Sequence, residues 1–236
     1  MAVDGINFDL MRGETLGIAG ESGCGKTTLA RILVRLIEPD SGSLNFLGED
    51  FLALHGQHLR LMRRRIQIIF QDPASSLNPR MRVGNIVAEP LDIHEPQLTA
   101  ADRRTRLHEV IGAVGLQPDV LERFPHEFSG GQRQRINIAR ALVVRPDVII
   151  GDEPVSALDV SVGAQILELL SQLQRNLSLT SIIISHSMPV LAQLADRVAV
   201  MQAGRFVEMG PTEQVFSNPQ NSYTKTLIAS ISQLNA

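Results

Sequence analysis

Apolar residues in this chain fall into short unbroken runs separated by stretches with helical spacing, the pattern of buried strands covered by helices. The run at 15–19 ends in glycine-rich sequence and gives way to helical spacing over 28–36, which predicts a strand, a loop and a helix. A second buried strand is predicted at 66–70, after a basic stretch at 60–65. From 72 to 145 the pattern changes: Pro73, Pro79, Pro90, Pro96, Pro118 and Pro125 punctuate helical segments such as 102–114, so this stretch reads as a helical insertion. Strand signals return at 148–150, 181–184 and 197–201, with a helix over about 160–173. From 210 onward the chain reads as short surface helices. Strands alternating with helices imply an α/β fold with a mainly parallel sheet covered on both faces.

Composition narrows this little. With 236 residues, 44% apolar and 20% charged, the chain suits one domain with a sizeable core. A formal net charge of −3 gives no basic surface bias, so no nucleic-acid partner is expected. The single cysteine, Cys24, excludes an internal disulfide and fits a reducing compartment. No apolar run approaches the roughly 20 residues that span a bilayer, and the start lacks secretory-signal character. A cytoplasmic protein is expected, with any membrane link made through a partner.

The chemistry is concentrated in two places. Gly20-Glu21-Ser22-Gly23-Cys24-Gly25-Lys26-Thr27 fits G-x-x-x-x-G-K-[ST] between the first strand and its helix. Glycines let the backbone wrap phosphate so that successive N–H groups form an anion nest, and the helix adds its positive end. The expected nucleotide contacts are Gly20, Ser22, Gly23, Gly25, Lys26, Thr27 and Thr28, with Lys26 on the β/γ oxygens and the Thr27 hydroxyl on Mg²⁺. Cys24, at a helix N-terminus, is expected to be alkylatable and shielded by ATP. Asp152-Glu153 follows the apolar run 148–150, which places both acids at the carboxyl end of a strand beside the loop. Asp152 is expected to organise Mg²⁺ through its water shell, and Glu153 to act as general base for the attacking water. The predicted architecture is a P-loop NTPase core, residues 1–71 and 147–236, with a helical subdomain at 72–146 and a partial antiparallel β edge, all forming one domain over 1–236.

Taken together, Gly20 to Thr27, Gln71, Ser129-Gly130-Gly131-Gln132, Asp152-Glu153, Ser156-Ala157-Leu158-Asp159 and His186 resemble the ATP-binding subunits of ABC transporters. The finer resemblance is to the importer ATPases of the oligopeptide, dipeptide, nickel and glutathione group, carried by Phe70-Gln71-Asp72-Pro73-Ala74-Ser75-Ser76-Leu77-Asn78-Pro79-Arg80 and Phe124-Pro125-His126-Glu127-Phe128-Ser129. The resemblance implies that Gln71 senses the γ-phosphate and Mg²⁺, that His186 holds the attacking water, and that Ser129, Gly131 and Gln132 cap the ATP of an opposite subunit, with Asp159 bridging the two sites. It further implies a dimer with an identical or related ATPase subunit, two integral membrane permease subunits and an extracytoplasmic solute-binding protein. The implied location is the cytoplasmic face of the inner membrane, attached peripherally through the permeases, with peptides or related small solutes as cargo.

Three departures accompany the resemblance. The family's adenine-stacking aromatic lies upstream of the first strand, where this chain opens at Met1-Ala2-Val3-Asp4. Phe8 is expected to lie too far along, in the strand itself. A truncated start, one half of a tandem polypeptide, or another way of holding adenine all fit, and weakened ATP affinity is the expectation. Ser187 replaces the acid that usually follows the histidine, and Ser222 replaces the proline of the usual proline-tyrosine-threonine, here Ser222-Tyr223-Thr224. Many relatives also extend well past position 236, some with a cysteine-rich tail. Two other readings are a soluble ATPase of the same superfamily acting in DNA repair or translation, and a non-hydrolysing regulatory subunit.

Overall fold

The computed structural model describes residues 1–234, so positions 235 and 236 of the expected core lie outside the described residues. The strands are β1 (Thr15–Ala19), β2 (Asn45–Phe46), β3 (Glu49–Asp50), β4 (Ile66–Ile69), β5 (Val148–Asp152), β6 (Thr180–Ser185), β7 (Arg197–Gln202) and β8 (Arg205–Pro211). Six of them form one sheet in the order β4-β5-β6-β1-β7-β8; β2 and β3 pair separately. All neighbours in the large sheet run parallel except β7 and β8, an antiparallel edge with a register shift between Val200 and Met201.

The helices are α1 (Lys26–Leu33), α2 (Gly56–Arg65), α3 (Pro73–Ser76), α4 (Val83–His94), α5 (Ala100–Ala113), α6 (Gly130–Leu142), α7 (Val160–Leu177), α8 (Met188–Leu194), α9 (Thr212–Ser217) and α10 (Ser222–Leu234). Helices α3 to α6 all fall between β4 and β5. None of the helices among the described residues is long and apolar enough to cross a membrane.

Strands β1, β5 and β6 are buried along their whole length, as isoleucine-rich runs in a doubly covered sheet should be. The period of two divides their side chains between faces. Ile150, Ile182 and Ile184 join Leu29, Leu33 and Phe51 on one side, while Ile149 packs with Ile86, Ile136 and Ile166 on the other. Ile183, between its two neighbours, faces Leu191 and Val198.

Register then brings the polar strand ends level. Ala19 pairs with Ser185, Ile184 with Asp152, and Ile69 with Gly151. The phosphate loop, His186, the acidic pair and Gln71 therefore all leave the sheet at one end, where open α/β sheets bind ligands.

Three expectations need correction. Phe8 is in no strand: it lies in an extended lead-in, half-buried, with its ring edge-on to Phe206 at 5.9 Å. Strand β8 continues to Pro211, past the point where surface helices were expected to begin, and α10 has 13 residues rather than being short. Helix α7 runs four residues beyond 173, to Leu177, and is capped by Ser178, whose φ of 50° is left-handed.

Candidate nucleotide site

The loop between β1 and α1 is shaped by glycine. Gly25, at φ 112°, serves as the N-cap of α1, and a Cβ there would come within 2.0 Å of the Ala2 carbonyl oxygen. No side chain caps the helix, so its first N–H groups remain for an anion. Lys26 is buried and folds back on the loop, donating through Nζ to the carbonyls of Gly20 at 2.7 Å and Glu21 at 2.8 Å. Its ammonium is thereby stationed at the loop on two backbone carbonyls, a buried positive charge that favours an incoming anion. Ser22 and Gly23 are exposed at the loop tip, and Thr28 is half-buried on α1. Cys24 is buried, its Sγ 3.8 Å from Lys26 Nζ, so the expected reactivity is sterically restrained.

Across the strand ends, Thr27 Oγ1 donates to Asp152 Oδ1 at 3.2 Å. Asp152 is 3% exposed, and burial pushes its carboxyl above the ordinary carboxylate range, with Glu153 adding to the rise and the Thr27 hydroxyl, Arg31 and Lys26 opposing it. A buried carboxylate that is short of positive charge, beside a threonine hydroxyl, suits a hard divalent cation. Mg²⁺ takes few protein ligands and keeps several waters, so Thr27, Asp152 and the Gln71 amide form an adequate donor set. A cleft of about 390 Å³ extends from Thr27 and Asp152 past Gln71 to α3 and Arg140.

Glu153 is the meeting point. Its Oε2 accepts from Gln71 Nε2 at 3.1 Å and lies 3.1 Å from His186 Nδ1. The residue sits at φ 50°, a conformation costing a non-glycine residue roughly 1–2 kcal/mol. Its N–H donates to the Ile184 carbonyl at 2.9 Å, while its own carbonyl accepts from Ser156 N and Oγ. These bonds hold the strained turn, with the carboxylate facing Gln71 and His186.

The Ser129 turn is a capping box. Ser129 Oγ accepts from Gln132 N at 3.3 Å, and Gln132 Oε1 accepts from Ser129 N at 3.0 Å. Gly131 is buried, and a Cβ there would lie 2.5 Å from Val162 Cγ1, so packing against α7 alone demands glycine. Asp159 is exposed at the start of α7, its side chain making no cap bond. The structure thus brings Lys26, Thr27, Asp152, Glu153, Gln71 and His186 together. Among the described residues no hydrogen bond joins Ser129, Gln132 or Asp159 to the phosphate loop.

The sequence profile of the ABC transporter family matches residues 3–156. This chain belongs to the ABC transporter family. It is 50% identical over 230 residues to the oligopeptide transport ATP-binding protein OppF of Salmonella typhimurium, an alignment covering 98% of this chain and 69% of that one. It is also 50% identical over 234 residues to the dipeptide transport ATP-binding protein DppF of Haemophilus influenzae, covering 99% and 71%. Among solved structures it resembles a dimeric post-hydrolysis state of the ATP-binding cassette MJ0796 bound to ADP and Pi, with TM-score 0.79, 29% identity and coverage of 89% and 90%. A second is cbiO1 from Clostridium perfringens, part of the ABC transporter complex cbiONQ, with TM-score 0.83, 28% identity and coverage of 99% and 92%.

In this ABC transporter chain Gln134, Asn137 and Tyr223 support the site through contacts that the motifs did not assign to them. Gln134, 1% exposed, donates through Nε2 to the Pro154 carbonyl at 2.7 Å, bracing the turn after Glu153. Asn137 donates to the Phe70 carbonyl at 3.5 Å, beside Gln71. Tyr223 reaches the loop from α10, with its hydroxyl 3.2 Å from Glu21 N. A buried glutamine two positions past a capping box was the one available signal; the other contacts join residues far apart in the chain.

Proposed function

We propose that this chain is the ATP-hydrolysing subunit of a membrane importer for peptides or related small solutes, working as one half of an ATP-clamping dimer. The observation that carries the reading is the shared oxygen of Glu153, held by Gln71 and His186 beside a complete phosphate loop. The names of its relatives, oligopeptide and dipeptide transport ATP-binding proteins, support peptide-type cargo.

Each residue has a task. The Gly20–Gly25 backbone wraps the phosphates, and Lys26 neutralises their charge. Thr27 and Asp152, with Gln71, would hold Mg²⁺, which when bound would draw charge off the transferring phosphoryl group. Glu153 takes the proton of the attacking water, and His186 orients that water. Ser129, Gly131 and Gln132 of one subunit cap the nucleotide of the other, with Asp159 bridging the sites. That division is supported by the exposure of Ser129, Gln132 and Asp159 away from the loop of their own chain and by the dimeric state of the MJ0796 cassette. Two permease subunits would receive the motion along the surface near residues 71–87, with a solute-binding protein on the far side of the membrane and this chain on the cytoplasmic face.

Two measurements test this. The Glu153→Gln protein in MgATP should sediment and scatter as a dimer; solitary molecules under those conditions, alone or beside related ATPase subunits, would end the clamp reading. A strain deleted for this chain should lose uptake of labelled peptides, and undiminished uptake would remove the peptide assignment while leaving the ATPase intact.

A further inference from the structure

The Gly20–Glu21 peptide is gripped at both edges. Its carbonyl oxygen, on Gly20, accepts from Lys26 Nζ at 2.7 Å, while its N–H, on Glu21, donates to Tyr223 Oη at 3.2 Å. A peptide unit is planar, so fixing the direction of the N–H fixes that of the opposed carbonyl. Gly20, at φ 154°, keeps the torsional freedom of glycine, so these two contacts bear directly on the orientation of the peptide.

Tyr223 is itself well placed to act as an anchor. It stands in the first turn of α10, and its ring packs on the apolar cluster containing Ala19, Met188 and Leu191. The start of α10 is tied to β8, because Glu208 accepts from the N–H groups of Gln220 at 2.7 Å and Asn221 at 3.0 Å. Asn221 Oδ1 then accepts from Tyr223 N at 2.8 Å. The other flank of the loop is tied to the same hairpin, with Gly204 N donating to the Cys24 carbonyl at 2.9 Å. The β7–β8 edge therefore holds the phosphate loop from two sides, one direct and one through α10.

We infer that Tyr223 is a positioning residue for ATP: its hydroxyl sets the peptide that anchors Lys26, so that the ammonium is in place before a phosphate arrives. The inference rests on reading Gly20–Thr27 as the ATP phosphate site. Pre-orientation of this kind lowers the ordering cost of binding and acts on affinity more than on the chemical step.

The test compares wild type, Tyr223→Phe and Tyr223→Ala. Phenylalanine keeps the ring packing and removes only the hydroxyl. Tyr223→Phe should weaken MgATP binding about 3–10-fold, the worth of one hydrogen bond. It should leave kcat at saturating ATP within about twofold and the nucleotide-free melting temperature within about 4 °C of wild type. Its Glu21 amide should exchange faster with deuterium in the nucleotide-free protein. Wild-type affinity in Tyr223→Phe, with a loss appearing only in Tyr223→Ala, would reduce the residue to packing and overturn the inference. A wild-type protein that bound no MgATP would instead refute the ATP reading; Glu21 exchange would then decide the clip alone, and exchange unchanged by Tyr223→Phe would overturn it.

Discussion

Replacing Glu153 with glutamine separates the structural from the chemical work of one carboxylate. Its Oε2 accepts from Gln71 at 3.1 Å and lies 3.1 Å from His186 Nδ1. Glutamine retains an oxygen able to take either donor, so what disappears is the charge assistance, about 1 kcal/mol for a hydrogen bond in a dry site. Here Gln71 is exposed and the His186 side chain is 57% exposed, so solvent takes up most of that loss. A melting temperature within about 4 °C of wild type follows, since 1 kcal/mol moves a domain of this size by roughly 2–4 °C. The chemical loss is of another order, because a positioned general base contributes about 10²–10⁴-fold, or roughly 3–5.5 kcal/mol of barrier. Steady-state hydrolysis at saturating MgATP, with a thermal melt of the same preparation, reads both quantities. A kcat within tenfold of wild type would refute Glu153 as the base. An equal collapse of melting temperature and kcat would show that the carboxylate was holding the turn together instead.

Three further outcomes follow from the polar contacts. Asp152→Asn should stabilise the nucleotide-free protein in EDTA: burial raises the folded pKa of Asp152 above its ordinary 3.8, so the native state binds its proton more tightly than the unfolded state. Stability therefore falls as pH rises from that ordinary value through the raised one and stays lower beyond it. The melting-temperature gap between Asp152→Asn and wild type should open over that window, and a gap independent of pH would contradict the argument. Glu95→Ala should cost about 3 kcal/mol, or roughly 6–12 °C, because it strands two cations. Glu95 is buried between Arg64 on α2 at 3.0 Å and Arg106 on α5 at 3.6 Å, so a melting point within 2 °C of wild type would show the cluster to be adequately hydrated. Alkylation of Cys24 should be slow, blocked by MgATP, and abolish nucleotide binding, because a Cβ on Gly20 would already lie 2.8 Å from its sulfur and no adduct fits without displacing the loop. Unchanged binding by mass-verified, fully alkylated protein would defeat this.

Strands β1, β5 and β6 were legible because burial on both faces writes an unbroken apolar run, and the phosphate loop because its glycines have a fixed spacing. What periodicity cannot report is which polar groups meet once the strands are aligned. The convergence of Gln71 and His186 on one oxygen of Glu153 depends on the register of β4, β5 and β6, and the left-handed turn at Glu153 has no glycine to announce it. Tyr223 and Glu21 stand 202 positions apart, and although each falls within a motif, neither motif reports that the two meet. Phe8 misled for the converse reason: a lone aromatic before an apolar run suggests strand, yet here edge-on contact with Phe206 supplies its burial without a ladder. Gly131 shows how one residue can satisfy two readings, since Val162 excludes a side chain there whether or not a nucleotide ever approaches.

Helix α6 gives the site its mechanical logic. It starts at the Ser129 cap, and within two turns it is bonded to both flanks of the catalytic strand ends. Gln134 holds the Pro154 carbonyl after Glu153, and Asn137 holds the Phe70 carbonyl before Gln71. A helix of 13 residues with its interior hydrogen bonds intact moves as a unit far more readily than it bends. If a partner's nucleotide engages Ser129, the resulting displacement must therefore appear at Phe70 and Pro154, the positions that set the approach of Gln71 and Glu153 to each other. Gln134→Leu removes one of those two attachments while preserving bulk. It should leave MgATP affinity of the isolated subunit unchanged and reduce the gain in hydrolysis rate with protein concentration. A rate that rises with concentration as steeply as in wild type would show that the dimer signal reaches Glu153 by another route.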